Sequence, residues 1–287
     1  MFVKPFAYER AGTFADACER LRAYGGEAKA VAGGQSLLPM INLGLVEPRA
    51  VVDISHVEGG RGIALDDGSL RIGALTRHLD LERDPLIARG QPLLRAAASL
   101  VGNRRVRALG TLGGSLAHAD PAAELPLAMT VLDAEYCVTD GRSRRTLRAH
   151  EFPITFFTTQ LEEAELLEWV RVPALGPGWG WGFVEVSRRS GDFAIVAAAA
   201  LAHARDGILF ESRLAVAGVG DRPIRLPAVE AAGAGASVDE LEGRIGPIED
   251  IEPVSDGIAS SEYRRHLARV LVLRALSDAC RRAGGQT

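Results

Sequence analysis

Two paired-glycine segments constrain this chain more than any other feature in it. Ala32-Gly33-Gly34-Gln35-Ser36-Leu37-Leu38-Pro39 follows an apolar, strand-like run from Ala28 to Ala32 and leads into an apolar segment of helical character. Gly110-Thr111-Leu112-Gly113-Gly114-Ser115-Leu116-Ala117-His118-Ala119-Asp120-Pro121-Ala122-Ala123-Glu124-Leu125 has the same build: a hydroxyl residue after the glycines, an Asp-Pro turn, then an Ala/Leu run. Glycine has no side chain to hold a guest at a distance, so its amide N–H groups are free to point at ligand oxygens. Taken singly, either segment reads first as a turn, because the chain has 32 glycines. Together, with His118, Asp120 and Glu124 close behind the second, they fit either two structural turns or the two ends of one nucleotide-type cofactor.

The 287 residues suffice for a well-buried core divided into two or three lobes. A content of 47% hydrophobic and 24% charged residues is that of a soluble globular protein. The net charge of −4, with basic residues scattered, argues against nucleic acid and anionic membrane as partners. No apolar run approaches the roughly 20 residues that span a bilayer, and Met1-Phe2-Val3-Lys4-Pro5 opens no signal-peptide core, so a cytoplasmic protein without a transmembrane segment is expected. Cys18, Cys137 and Cys280 match no zinc or iron–sulfur spacing and are expected as small buried hydrophobes, with no metal site.

In chain order, Thr13 with Asp16 predicts a capped helix over about 13–24, stopped by Gly25-Gly26. Short buried strands at 28–32 and 50–54 flank the first glycine loop and a helix at 37–43, making a small β-α-β-α-β lobe. A second lobe of mixed α+β type follows: a strand at 70–74, Thr76 placed to cap a helix through Leu81, a helix from Pro92 to near Gly102, the second glycine loop, and a helix at 122–132. Asp140-Gly141 marks a hairpin between 135–139 and 142–147. The breaker cluster Gly176-Pro177-Gly178-Trp179-Gly180, which does not fit G-x-G-x-x-G, predicts the domain boundary. Beyond it, strands at 181–187, 195–203 and 208–218 predict a three-stranded antiparallel meander backed by helices at 227–234, 238–245 and 262–282. The expected division is a domain over 1–176, with lobes of about 1–56 and 57–176, and a C-terminal domain over 177–287.

Both glycine segments, with Ala119-Asp120-Pro121-Ala122-Ala123-Glu124-Leu125, Ile72-Gly73-Ala74-Leu75-Thr76, Arg188-Arg189-Ser190-Gly191-Asp192-Phe193-Ala194 and Tyr263-Arg264-Arg265-His266-Leu267-Ala268, resemble the FAD subunit of the molybdenum-containing hydroxylases. The resemblance runs the whole chain and is strongest to the medium subunits of the carbon monoxide and nicotine dehydrogenases. It implies a two-lobed FAD-binding domain of the vanillyl-alcohol-oxidase type, followed by the sheet-plus-helices domain. It also implies a heterohexamer, a dimer of heterotrimers with a large molybdopterin subunit and a small [2Fe–2S] subunit. Electrons would pass from the cluster to FAD and then to a small-molecule or protein acceptor. The alternative in the same fold is a stand-alone oxidase or dehydrogenase of the vanillyl-alcohol-oxidase type, but no residue stands apart as its catalytic base.

By this resemblance, Ala32, Gly33, Gly34, Gln35, Ser36 and Leu37 anchor the FAD pyrophosphate through backbone N–H groups. Gln35 stands where a covalently linked flavoprotein of that type can have histidine, so non-covalent FAD is expected. Thr111, Ser115 and His118 would reach ribityl or phosphate oxygens, with Gly114 also in the cofactor site, and Glu124 or Asp120 a hydroxyl or ring edge. Leu167 would lie beside the flavin. Phe193 would cover one face of the isoalloxazine, with Arg188, Arg189 and Asp192 near the ring. No substrate-level catalytic residue is expected on this chain.

Overall fold

The computed structural model describes residues 3–285; Met1 and Phe2 of the opening segment lie outside the described residues. The first lobe runs β1 (Ala7–Arg10), α1 (Phe14–Ala23), β2 (Ala28–Val31), α2 (Leu37–Asn42) and β3 (Ala50–Asp53), with β3 central between β1 and β2 and parallel to both. All four residues of β3 are buried, which is why Ala-Val-Val reads as an unbroken apolar run. Thr13 Oγ1 accepts the Asp16 N–H at 3.1 Å and starts α1. The carboxylate of Asp16 reaches back to the N–H of Gly12, one residue before the usual capping-box partner.

The second lobe comprises β4 (Ile63–Asp66), β5 (Ser69–Gly73), the helices α3 (His78–Arg83), α4 (Pro85–Gly90), α5 (Pro92–Leu100), α6 (Arg104–Leu109), α7 (Leu112–His118) and α8 (Glu124–Val131), then β6 (Glu135–Thr139), β7 (Arg144–Arg148), the small hairpin β8 (Pro153–Thr155) and β9 (Thr158–Thr159), and β10 (Leu166–Pro173). Its five-stranded sheet has the order β4-β5-β10-β6-β7 and is antiparallel throughout. The Asp140-Gly141 hairpin forms as expected, Gly141 taking φ +87°. A second hairpin turn, Asp67-Gly68, joins β4 and β5 with both residues at positive φ. Thr76 does not cap α3: its hydroxyl pairs with the backbone of Gly62, and Arg77 takes the cap position.

The C-terminal sheet has four strands, not three: β11 (Trp179–Val186), β12 (Val196–Arg205), β13 (Ile208–Ala217) and the two-residue β14 (Ile224–Arg225), all antiparallel. Helices α9 (Pro227–Gly233), α10 (Leu241–Arg244) and α11 (Ser261–Ala283) accompany it. The alanine-rich β12 is buried on both faces. Ala197, Ala199 and Leu201 join the core of the second lobe, whereas Val196, Ala198, Ala200 and Ala202 join a separate core under α11. Gly180, read from sequence as part of the domain boundary, lies within β11 beneath α11. A side chain there would meet the Ala279 carbonyl, with its carbon only 3.0 Å away, and one on Gly182 would stand 2.7 Å from the carbonyl carbon of Ala275.

Candidate cofactor site

The two glycine segments come together on one surface. Gly33 lies so close to the end of α6 that a Cβ there would stand 2.8 Å from the Leu109 carbonyl carbon and 2.9 Å from Gly110 Cα. Only glycine fits this approach. Gly34 turns the chain at φ +68°, and the Gln35 side chain folds back to donate to the Gly33 carbonyl at 3.0 Å. The amides of Gly33, Gly34, Gln35, Ser36 and Leu37 find no acceptor among the described residues. Ser36 stands at the N-cap of α2 without using its hydroxyl there. Ala32 through Leu37 are all half-buried. Five consecutive donors in a half-enclosed loop are costly unless an anion or water accepts them, so the loop is chemically suited to a pyrophosphate.

The second segment differs from the expected open loop. Gly113, Gly114 and Ser115 belong to α7, and Thr111 caps it by accepting the Gly114 N–H at 3.1 Å. Leu112 N–H donates to Thr76 O, and Gly113 N–H to Ala74 O at 2.7 Å. These amides are therefore spent within the protein. Gly113 is glycine because a Cβ would press on Ala74 at 2.6 Å. What α7 offers a ligand is its face: Gly114 exposed, Ser115 and His118 half-buried one turn apart, with no hydrogen bond to either side chain. The His118 ring packs against Phe157 at 5.1 Å, and burial lowers its pKa.

Behind the face, His78 is buried and donates Nε2–H to the Thr111 carbonyl at 2.8 Å. Its Nδ1 has no partner, and burial pushes its pKa down to about 4. Arg77 donates to the Leu109 carbonyl, the same carbonyl that crowds Gly33. Asp120 does not cap α8; its carboxylate accepts Ala122 N–H at 2.9 Å, and burial raises its pKa. Glu124, 4% exposed at the start of α8, is pushed up to about 7 by burial and by repulsion from Glu185 and Asp120. Glu185 on β11, unremarked in the sequence, is raised to about 7 by burial, and its Oε2 is shut away without a partner.

The third constellation is on the C-terminal domain. Arg188, Arg189, Asp192 and Phe193 are exposed, Phe193 by 63%. Their turn rests on the segment before α6, since a Cβ on Gly191 would stand 3.1 Å from the Gly102 carbonyl oxygen. Helix α6 thus touches the Gly191 turn near one end and Gly33 at the other, about 9 Å apart along its axis. This helix was missed in the sequence, where the only signal was Asn103, whose side chain caps it by accepting from Arg105 and Val106. Leu167 is 5% exposed, in the second-lobe core beside a bulge in β10.

Among the described residues no group of His, Cys, Asp or Glu is placed to hold a metal ion, and no helix is long and apolar enough to cross a membrane. The cysteines are all buried.

Comparison with known proteins gives a consistent result. Residues 4–175 match the FAD binding domain in molybdopterin dehydrogenase, and residues 181–279 the CO dehydrogenase flavoprotein C-terminal domain. The chain is 37% identical to the 6-hydroxypseudooxynicotine dehydrogenase complex subunit alpha of Paenarthrobacter nicotinovorans over 92% of its length and 91% of that protein's. It superposes on a chain of carbon monoxide dehydrogenase from Hydrogenophaga pseudoflava with a TM-score of 0.92 at 32% identity, covering 97% of this chain and 98% of that one. A chain of quinoline 2-oxidoreductase from Pseudomonas putida 86 gives a TM-score of 0.92 at 31% identity, covering 99% of both. With the paired loops, the free amides of the first and the sheet domain behind them, the chain belongs to the FAD-binding medium subunits of the molybdenum hydroxylases, the family of the carbon monoxide and xanthine dehydrogenases.

Proposed function

We propose that this chain holds FAD without a covalent bond and relays electrons from a small [2Fe–2S] subunit to an external acceptor, while a large molybdopterin subunit transforms the substrate. The assembly is a dimer of heterotrimers in the cytoplasm, and the chain divides near residue 176. The observation that carries the reading is the run of five unpartnered amides from Gly33 to Leu37, braced on Leu109 and Gly110. When bound, the flavin supplies the ability to exchange either one or two electrons.

The protein's part is placement and environment. The Gly33–Leu37 amides would hold the pyrophosphate without a cation, and Gln35, tied to Gly33, keeps their shape while offering no nucleophile. Ser115 and His118 would face ribityl and phosphate oxygens, and Thr111, buried, would act by setting α7. Glu124, with Asp120 beside it and its pKa raised to about 7, has both its protonated and its ionised form within reach near neutral pH, and the protonated form would donate as well as accept a hydrogen bond. Phe193 is free to lie over the ring, and Arg188 and Arg189 make no ion pair among the described residues. Leu167 supports the flavin side of β10 from within the core.

The visible spectrum of the purified complex tests this. Bound flavin, released in full by acid precipitation, with molybdenum and iron co-purifying, is the expected result. Flavin without molybdenum or iron would return the stand-alone oxidase, and no flavin at all would overturn the relay.

A further inference from the structure

Four exposed arginines sit on two segments, one from each domain, that meet where Gly191 packs on Gly102. Arg104 and Arg105 occupy the first turn of α6, where the helix dipole disfavours cations, so helix stability gives no reason for them. Arg188 and Arg189 sit in a turn closed by the Arg189 carbonyl, which accepts from Asp192 N–H and the Ser187 hydroxyl. That turn is seated on the same place, because a Cβ on Gly191 would stand 3.1 Å from Gly102 O and 3.8 Å from Asn103 N. None of the four makes an ion pair among the described residues, whereas neighbouring Arg107 is paired with Glu82 at 2.9 Å. Asp192 is the one carboxylate within the two segments. Phe193 follows at the edge of this patch, 63% exposed, in a chain whose net charge is −4.

We infer that this surface is the docking site of an acidic redox protein that carries electrons away from the complex. The inference rests on the reading that the Phe193 turn lies beside the flavin. An exposed aromatic among arginines has the composition of an interface centre. A local excess of positive charge on an acidic protein orients an acidic partner during encounter and accelerates it. The patch is open and straddles two domains, which suits a brief contact between proteins better than a nucleotide, whose pyrophosphate and base call for a cleft. Each encounter moves one electron out of the complex and reduces the carrier by one, with no atom transferred.

The test uses the intact complex carrying Arg104→Glu and Arg105→Glu, a change the helix dipole favours and the fold tolerates. Dithionite-reduced complex is mixed without oxygen with an acidic c-type cytochrome, basic mitochondrial cytochrome c, neutral menadione or NAD. The expected result is a fall of at least tenfold in the second-order rate with the acidic cytochrome and loss of its dependence on salt. The rate with menadione should hold, and that with the basic cytochrome should rise. An unchanged rate with the acidic cytochrome, or an equal fall with menadione, overturns the inference. So does loss of the other subunits on gel filtration, or a fall confined to NAD reduction, which would mean a nucleotide acceptor. If wild-type flavin stays reduced with every acceptor, the relay itself fails, and this inference with it.

Discussion

Gly33 and Leu109, 76 positions apart in the chain, meet backbone to backbone, and the Leu109 carbonyl fills the space that any side chain at Gly33 would need. The contact sets the first loop against α6. The donors proposed for the pyrophosphate are therefore aimed by a helix of the second lobe rather than by their own lobe.

Gly33→Ala should accordingly lift the loop off Leu109 and weaken FAD binding by at least tenfold, with the far-ultraviolet circular dichroism preserved. Gly12→Ala is the control, since nothing stands within 4 Å of its Cβ position. Titration of the FAD-free protein with FAD, followed by flavin fluorescence, reads the difference.

Glu185 shapes the response to alkali. Its folded pKa of about 7 lies above the unfolded value of 4.5, so the folded state holds the extra proton and loses stability as pH rises from about 4.5 through 7. Glu124, which it repels, is its ionisable neighbour. Glu185→Gln should leave the FAD-free protein unchanged near pH 4 and stabilise it by about 1 kcal/mol at pH 8, as thermal melts would show.

His78 works in the opposite sense. Its folded pKa of about 4 lies below the unfolded 6.5, so stability is intact above pH 6.5 and falls as pH drops toward 4. His78→Gln keeps a donor for the Thr111 carbonyl and removes the titration. The variant should retain on the order of 2 kcal/mol that the parent loses over that interval, measured by urea denaturation at pH 7 and pH 4.5.

Phe193→Ala should cost the fold less than about 0.5 kcal/mol, because the ring is already 63% exposed. In the complex the same change should open the flavin to oxygen and speed oxidation of the reduced enzyme. Reduction from the cluster side should change less. Rapid mixing of each half-reaction distinguishes the two, and an unaltered oxidation rate with an unshifted flavin spectrum would remove Phe193 from the site.

The elements that the sequence made legible are those whose apolar pattern and punctuation agree. Examples are α1 behind Thr13, the Asp140-Gly141 turn, and the long C-terminal helix. Helix α6 was hidden because Arg104-Arg105-Val106-Arg107-Ala108-Leu109 has no apolar stripe; it is held by the Asn103 cap and its neighbours, and none of its residues is buried. Helix α7 was hidden by its own glycines, which disfavour helix in general and are required here by the approach of Ala74. The two-residue β14 is too short to leave a pattern. Glu185 could be placed on a strand, but only the fold reveals that its face of the strand turns toward Glu124.

The pairing of Gly180 with Ala279 and of Gly182 with Ala275 has a mechanical consequence. Two residues of strand advance about 6.6 Å and four residues of helix about 6 Å, so the two repeats stay nearly in step along the seam. Bare backbone thus meets a helical turn at matched intervals, in the manner of a rack and pinion. Adding or deleting one residue between Gly180 and Gly182 would put a side chain where a carbonyl now lies. A change in the length of the strand at this seam therefore calls for a matching turn in the helix.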